Sequence, residues 1–415
     1  MKRVVVIGAG ISGLACAREL RDTCEVVVVE ARDRLGGRLH TTGDCVDLGG
    51  SWMHGSDNNV LMSFGVTSME SPDSGATSAV FSCKGKRWTA EECDESDSEW
   101  QATLAATAKA RHGRDRGLLS ALQPIATTDR WAHVLSMQTL MAADLEDVSL
   151  EHWDEAEEDT EGVDRYFPGG YKQIIDLIAA GTRVELGCIV EAVEERADSV
   201  MVRCRGGRTF EADCVVCTLP LGVLQRRAVH FEPPLPQPVV AAIDCMGFGT
   251  LGKVVLTFER VFWDAEAVWI GIDPSQTTRA TFVEVLNLYR CNGRPILVGF
   301  CGGSFATGFS KRTDEDVAAE LMRVLRVAYP DAPQPVGVIV TRWNDDPFAF
   351  GSYSYFRVGG NGLQDVRTLA APVSRRLLLA GEHTSPEFPG YAHGAFLSGL
   401  RAAKQVAAAI DSKRL

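Results

Sequence analysis

Glycines and one carboxylate near the start of the chain have the spacing of a dinucleotide-binding site. The β-branched residues 4–7 predict a buried strand, and the glycines that follow allow a tight turn into a helix. Such a helix directs free N–H groups and the positive end of its dipole at a pyrophosphate. A second apolar run, 26–29, ends in an acid that can bind an adenosine ribose. We therefore predict a nucleotide site, rather than a tight turn in an ordinary α/β unit, formed by Gly8, Gly10, Ser12, Gly13 and Glu30.

The residues directly after this acid distinguish FAD from a nicotinamide cofactor. A second glycine pair lies between Arg34 and Arg38, and a third pair comes shortly before Trp52. A nicotinamide enzyme needs none of these, whereas a flavin that lies extended across the domain needs close backbone approach at its pyrophosphate and its ring. The sequence therefore predicts FAD, bound in addition by Arg32, Gly37, Arg38, Gly50, Ser51 and Trp52.

Four further motifs make a resemblance to a known family specific. They are LLAGEHT at 378–384, PGYAHGA at 389–395, FGTLGKV at 248–254 and GSYSY at 351–355. Together with the glycine motifs they resemble the flavin-containing amine oxidases, which include polyamine oxidases, monoamine oxidases and histone lysine demethylases. Because the motifs are spread over nearly the whole chain, the resemblance is global.

The resemblance implies roles for four residues. Lys253, in a strand with apolar neighbours, would hold a water against flavin N5 and assist reoxidation or imine hydrolysis, and an edge-strand surface lysine is the alternative. Tyr353 and Tyr391 match two aromatic rings that stand before the flavin and form a slot for the amine, although tyrosines are also common in cores. His54 matches a histidine of intracellular polyamine oxidases that would hydrogen-bond a substrate nitrogen, and a structural loop histidine is its alternative.

The same resemblance extends the cofactor site into the C-terminal half of the chain. Val190 would contact the adenine, and small residues of a last helix over 391–410 would let it lie close to the flavin; these are Gly394, Ala395, Ser398 and Gly399. Monoamine oxidases have a flavin-linked cysteine at the position of Ser352, so FAD is expected to bind non-covalently. The further cofactor residues are Val190, Trp343, Gly381, Glu382, Tyr391 and Ala392, and no metal site is predicted.

The cofactor motifs lie at both ends of the chain, so the domain that binds FAD must be assembled from separate segments. The predicted fold class is α/β, with a Rossmann-like FAD-binding domain from residues 1–80, 183–235 and 360–415. Residues 81–182 and 236–359 would form an α+β substrate domain with a mixed sheet and helices.

Local patterns predict the elements that carry these residues. Helices are expected over 100–110 and over 313–329, the latter because Thr313 precedes several acids. Cys214 and Cys217 have the spacing of a redox motif but lie in an apolar strand. Because residues three apart in a strand face opposite sides, this pair is interpreted as structural.

The formal net charge of −13 is unevenly distributed. Residues 144–164 contain eleven acids and no Lys or Arg. This run is either a solvated surface segment or an acidic surface that attracts a cationic substrate, and the composition alone does not distinguish the two. An acidic protein is a poor partner for nucleic acid, so none is predicted.

Composition also bears on location. No stretch approaches the ~20 apolar residues that span a bilayer, so no membrane contact is predicted. Twelve scattered cysteines are typical of free thiols in a reducing compartment. The predicted location is the cytoplasm, with the peroxisome as the alternative because the chain ends in Lys-Arg-Leu. A monomer is expected.

These observations together predict an FAD-dependent oxidase of polyamines. A neutral amine would pass a hydride from its α-carbon to the flavin, the iminium would be hydrolysed to an aldehyde, and oxygen would reoxidise the flavin to give hydrogen peroxide. The partners are thus a small cationic amine and oxygen. The alternatives are a histone lysine demethylase-like enzyme, another amine or L-amino-acid oxidase, for which no arginine clamp can be assigned, and a non-catalytic flavin-binding interaction protein.

Overall fold

A computed structural model describes residues 1–71, 78–111, 113–122, 131–273 and 282–411. These residues form a mixed α/β fold with five sheets. The C-terminal Lys-Arg-Leu lies outside the described residues. The helices are α1 (Ile11–Leu20), α2 (Ala90–Thr107), α3 (Leu119–Leu122), α4 (Trp131–Met141), α5 (Lys172–Ala179), α6 (Leu221–Gln225), α7 (Gln237–Cys245), α8 (Tyr289–Asn292), α9 (Ser304–Thr307), α10 (Asp314–Ala328), α11 (Leu363–Ala370) and α12 (Ala392–Asp411).

A five-stranded parallel sheet draws its strands from both ends and the middle of the chain. Its order is β20-β11-β1-β2-β7. Alternate residues of the N-terminal strand face opposite sides, so Val4 packs against α1, α5 and α12, whereas Val5 packs toward α7 and α11. The strands are β1 (Lys2–Ile7), β2 (Cys24–Val29), β7 (Val184–Glu185), β11 (Cys214–Cys217) and β20 (Leu377–Leu379).

A six-stranded sheet forms the second large core. Its order is β18-β14-β17-β16-β15-β5, and its pairs are antiparallel except for β15 with β5. One face packs against α10, and the other packs against Val46 and Trp52 from the N-terminal segment. The strands are β5 (Ser78–Phe81), β14 (Leu251–Thr257), β15 (Trp269–Ile272), β16 (Glu284–Asn287), β17 (Ile296–Gly302) and β18 (Gly337–Val340).

Three smaller sheets complete the described strands. A four-stranded sheet, in the order β10-β9-β8-β12, covers one face of the parallel sheet. Its strands are β8 (Val190–Glu195), β9 (Val200–Cys204), β10 (Thr209–Ala212) and β12 (His230–Glu232). The others are β3 (Trp52–Met53), β6 (Arg165–Tyr166) and β4 (Met69–Glu70), paired in that order, and the pair β13 (Gly247–Phe248) with β19 (Ser354–Tyr355).

The two cysteines of β11 confirm the structural interpretation. Cys214 and Cys217 are buried in the two separate cores on opposite faces of the parallel sheet. Both are free thiols. Bonding between them would require the strand to break.

Helix starts follow their capping residues. Helix α10 begins directly after Thr313, whose hydroxyl accepts a hydrogen bond from the Asp316 N–H at 3.2 Å, so the predicted start is confirmed. The helix predicted over 100–110 instead begins at Ala90. Thr89 and Glu92 form a capping box there, a signal that the sequence carried and that was not recognised.

The small residues of α12 serve helix packing more than the prediction assumed. A Cβ placed on Gly399 would lie 2.1 Å from the Ser12 carbonyl oxygen in α1. The Ser398 hydroxyl lies 3.0 Å from that of Ser12 and accepts a hydrogen bond from the Gly381 N–H at 2.9 Å. The prediction that Ser398 and Gly399 face the flavin is therefore wrong, because they bring α12 against α1.

Gly399→Ala tests this close approach of α1 and α12. The added methyl group has to push the helix backbones apart, so we expect a loss of about 1–3 kcal/mol in the free energy of unfolding, measured in urea. Gly308→Ala is the matched control, because φ there is −63° and its Cβ would meet nothing within 4 Å. The control should change stability by less than about 0.5 kcal/mol. Equal effects of the two substitutions would contradict the packing argument.

Candidate active site

One large cavity, of about 1330 Å³, brings the predicted residues together. It reaches from the glycine turn after β1 to Lys253, Tyr353 and Tyr391. Typical small-molecule sites have volumes of about 300–1,000 Å³, so this cavity has room for a dinucleotide and a substrate. The residues predicted to bind the cofactor or to act on the substrate all line it, except Gly13, Gly394, Ser398 and Gly399. We call it the main cavity.

The glycine turn leaves open space at the N-terminus of α1. Gly8 has φ +102°, and a Cβ there would lie 2.7 Å from the Thr218 hydroxyl. Gly13, in the first turn of α1, packs against the glycine turn, and a Cβ added there would lie 2.0 Å from the Gly8 carbonyl oxygen. The Gly36 N–H donates to the Ala9 carbonyl at 2.9 Å, which places the second glycine pair beside the first. No side chain caps α1, so this turn fits a pyrophosphate.

The predicted ribose ligand, Glu30, is fixed by the backbone. Its two carboxylate oxygens accept hydrogen bonds from the N–H groups of Ala9 at 2.7 Å and Arg32 at 2.9 Å. The residue is 5% exposed and lines the main cavity. A carboxylate has further lone pairs, so it can accept additional hydrogen bonds in this position.

An ion pair joins the N-terminal motif to the C-terminal one. Arg38 Nη1 donates to Glu382 Oε1 at 2.8 Å and to the Ser352 carbonyl at 2.9 Å. The Ser354 hydroxyl donates to Glu382 Oε2 at 2.5 Å. Burial opposes ionisation of Glu382, but Arg38, His383 and the Ser354 hydroxyl together outweigh it and hold the pKa of this carboxyl below its usual value. Both ends of the pair line the main cavity.

Lys253 lies on an inner strand of the six-stranded sheet. The alternative prediction, that it is a surface lysine on an edge strand, is therefore wrong. Strand β14 pairs with β17 on one side and β18 on the other, and Lys253 is 2% exposed. Its Nζ donates to the carbonyls of Asp47 and Gly49 and to the Ser51 hydroxyl. These acceptors take all three donors of the ammonium. Burial lowers the pKa of this ammonium, and the Asp47 carboxylate partly opposes the shift.

The two tyrosines and His54 line the same part of the main cavity. Tyr353 donates its hydroxyl to the Leu140 carbonyl at 2.9 Å, and burial raises its pKa well above the usual value. The Tyr391 ring lies 5.1 Å from the His54 ring. His54 Nδ1 lies 2.7 Å from Asp164 Oδ2. Burial acts against ionisation of Asp164, but the hydrogen bonds from His54 and the Gly55 N–H, together with the nearby histidines, outweigh it and lower the pKa of this carboxyl.

Several acids of the 144–164 run also line the main cavity. They are Asp154, Glu155, Glu158, Asp159 and Asp164, which we call the acidic wall. Asp154 pairs with Arg111 and Glu155 with His152, whereas Glu158 and Asp159 are exposed. Sequence reasoning identified the run but could not tell which acids face the cavity.

Sequence reasoning missed Asp47 altogether. The Thr41 hydroxyl and the Tyr171 N–H donate to its carboxylate, and its own carbonyl accepts from Lys253. The available signal was an acid between the apolar Val46 and Leu48, directly before the third glycine pair.

A glycine turn, a buried lysine and two tyrosines around one large cavity define a flavin-dependent oxidoreductase. The family model described as "Flavin containing amine oxidoreductase" matches residues 11–164 and 138–407. The chain belongs to this family, and it is a flavin-dependent amine oxidase. No helix in the described part of the chain is long and apolar enough to cross a membrane.

Similar proteins cover nearly the whole chain. Polyamine oxidase 2 of Arabidopsis thaliana is 33% identical over 442 aligned positions, which cover 97% of this chain and 87% of that protein. Polyamine oxidase 4 of Oryza sativa subsp. japonica is 33% identical, with 97% and 88% covered. Lysine-specific histone demethylase 1 homolog 2 of the same rice is 32% identical, and the match covers 99% of this chain but 57% of that protein.

Glu382→Gln tests the ion pair that joins the two motifs. The variant leaves Arg38 without its anion, so we expect the free energy of unfolding to fall by about 3 kcal/mol at pH 7. The pKa of Glu382 is lowered in the folded state, so its contribution is present above the unfolded pKa of about 4.5 and is lost as pH falls through the folded pKa. The difference between wild type and variant should therefore shrink in acid.

The control for this prediction is Asp176→Asn. Lys172 and Asp176 form an exposed ion pair on α5, with side chains 62% and 54% exposed. Exposed pairs contribute about 1 kcal/mol or less. A stability difference for Glu382→Gln that does not change with pH would contradict the role of the pair.

Proposed function

We propose that this chain oxidises polyamines with a non-covalently bound FAD. The observation that carries the proposal is the main cavity, in which the acidic wall and the group of Lys253, Tyr353 and Tyr391 line one continuous space. Bound FAD would accept a hydride from the carbon next to the substrate nitrogen and pass the electrons to oxygen. Water would hydrolyse the resulting imine, so the products would be an aldehyde, an amine and hydrogen peroxide.

The two parts of the cavity suit different parts of a polycation. The tyrosine-lined part suits a slim, uncharged group, because burying an unpaired ammonium is costly. Glu158 and Asp159 lie exposed on the acidic wall and attract the remaining ammonium groups. A polyamine presents one neutral nitrogen for oxidation while its other nitrogens stay charged. His54, beside Tyr391 and hydrogen-bonded to Asp164, is placed to bind a nitrogen between these two parts.

The binding of FAD in particular rests on the glycine turn and the C-terminal contacts. In this proposal the parallel sheet belongs to a Rossmann-like domain from residues 1–80, 183–235 and 360–415, and residues 81–182 and 236–359 bind the substrate. Ser352 uses its hydroxyl to accept the Leu251 N–H at 2.8 Å and has no sulfur for a flavin thioether. Cofactor residues outside the glycine turn include Arg38, Glu382 and Val190. The proposal retains a cytoplasmic monomer, with the peroxisome as the alternative location.

Anaerobic mixing tests the function directly. The purified flavoprotein is mixed with spermine, spermidine, their acetylated forms, a monoamine, an L-amino acid and a dimethyl-lysine histone peptide. We expect polyamines to bleach the visible flavin absorbance, and oxygen then to restore it with release of peroxide. Formaldehyde from the histone peptide, without bleaching by polyamines, would instead identify a demethylase. Bleaching by none of the compounds would support a non-catalytic flavin-binding protein.

The acidic wall gives a second prediction. Glu158→Gln combined with Asp159→Asn removes two charges from the wall, so we expect KM for a polyamine to rise about 3–10-fold at low salt, with kcat nearly unchanged. The effect should weaken as ionic strength rises. Glu151→Gln with Glu161→Gln is the matched control, because these exposed acids belong to the same run but do not line the main cavity. Equal changes in both double variants would mean that only net charge matters.

A further inference from the structure

A second, much smaller cavity lies behind the lysine. Its volume is about 20 Å³, and we call it the rear cavity. Ser51, Trp52, Lys253 and Phe300 line both cavities and form the wall between them. Lys253 Nζ lies 5.8 Å from the centroid of the Trp52 ring and 5.5 Å from that of Phe300. The lysine therefore lies in the wall between two separate spaces.

The rear cavity is lined by polar groups that a dry cavity would not have. Asp47, Ser51, Lys253 and Tyr166 contribute to its surface, together with apolar side chains. Tyr166 is 5% exposed, and its buried hydroxyl has no hydrogen-bond partner among the described residues. An unpaired buried hydroxyl costs free energy, so a partner is expected at this position.

The volume decides what that partner can be. A water molecule needs at least about 10–15 Å³ of such space and two to four polar partners. The rear cavity exceeds that limit for one molecule, whereas two would need about 20–30 Å³. We propose that the rear cavity binds one internal water molecule, which joins Tyr166 to Asp47, and that Asp47 is a positioning residue for the lysine. Nothing in the function proposed above assigns a role to Asp47, Tyr166 or this site.

Asp47 acts on the lysine by charge, not through the water. The three N–H donors of the Lys253 ammonium are taken by the carbonyls of Asp47 and Gly49 and by the Ser51 hydroxyl, so the water bonds to Tyr166 and Asp47 and not to the lysine. The Asp47 carboxylate supports the charged form of Lys253. The use of this charge during turnover rests on the proposed function, whereas the water site does not.

Other titratable groups surround the pair. Those that line the rear cavity are Tyr166, Cys45 and Cys291, and Tyr171 donates its N–H to Asp47. Burial raises the pKa of Tyr166 and of Cys291 to about 12 each, and raises that of Tyr171 further. Burial also raises the pKa of Asp47 while it lowers that of Lys253, which brings the two groups closer in proton affinity.

Tyr166→Phe tests the water by the sign of a stability change. If the hydroxyl bonds to an internal water, its removal lowers the Tm of the purified flavoprotein by several degrees. If the hydroxyl has no partner, its removal raises the Tm, and the proposal fails. Tyr171→Phe is the control for a hydroxyl with a known partner, the Trp52 carbonyl at 2.9 Å, and should lower the Tm. Tyr289→Phe, at an exposed tyrosine, should leave it unchanged.

Crystals provide an independent readout of the same site. Electron density for one water in the rear cavity is expected in the wild type. Xenon in its place, under gas pressure, would identify an apolar gas site and overturn the proposal. Neither measurement depends on turnover, so failure of the water site and failure to oxidise amines are distinguishable.

Asp47→Asn tests the positioning role by a pH profile. The quantity to measure is the difference in Tm between the wild type and Lys253→Met at each pH. Because burial lowers the pKa of Lys253 in the folded state, this difference should rise in favour of the wild type as pH increases from the folded pKa to the unfolded pKa. Asparagine removes the anion that supports the ammonium, so this rise should begin at least one pH unit lower. Asp44→Asn, an exposed acid three residues earlier, is the control and should not move it. A uniform loss of Tm at every pH would mean that Asp47 is only structural.

Discussion

An ammonium group with almost no access to water has to be surrounded by acceptors, and Lys253 imposes this requirement on the fold. Its three donors are taken by the segment 47–51, which follows the glycine motifs, while the lysine itself lies on an inner strand of the six-stranded sheet. The same contacts therefore fix the third glycine pair and attach the N-terminal segment to that sheet. Without them the buried charge would be unpaired, which costs several kcal/mol.

A second charged contact closes the opposite side of the main cavity. Arg38 follows the second glycine pair, and Glu382 follows β20, so their ion pair brings together segments from the two ends of the chain. The serine that supports it, Ser354, lies next to Tyr353 and places that tyrosine beside the glycine motifs. The main cavity is thus held by a few buried polar contacts between distant segments, and packing alone would not fix their relative positions.

The sequence predicted those parts of the site that depend on local chemistry. The glycine turn, the strand before it and the start of α10 at Thr313 are determined by backbone geometry and capping within a few residues. The parts that it could not predict depend on contacts across the chain. Asp47 looks like any loop acid until Lys253 is placed beside it, and Ser398 and Gly399 read as ligand contacts until α1 is packed against them. The orientation of the acids in 144–164 is likewise set by the surrounding elements.

The packing of α12 against α1 has a consequence for synthesis on the ribosome. The first helix is translated long before the helix that covers it, which is formed by residues 392–411. The same holds for β20, which pairs with β11 in the parallel sheet. Long-range pairing of this kind has to wait until both segments are present. The cofactor can therefore be captured only after residues 392–411 have left the exit tunnel, and until then the apolar surface of α1 and β1 has to be protected from aggregation.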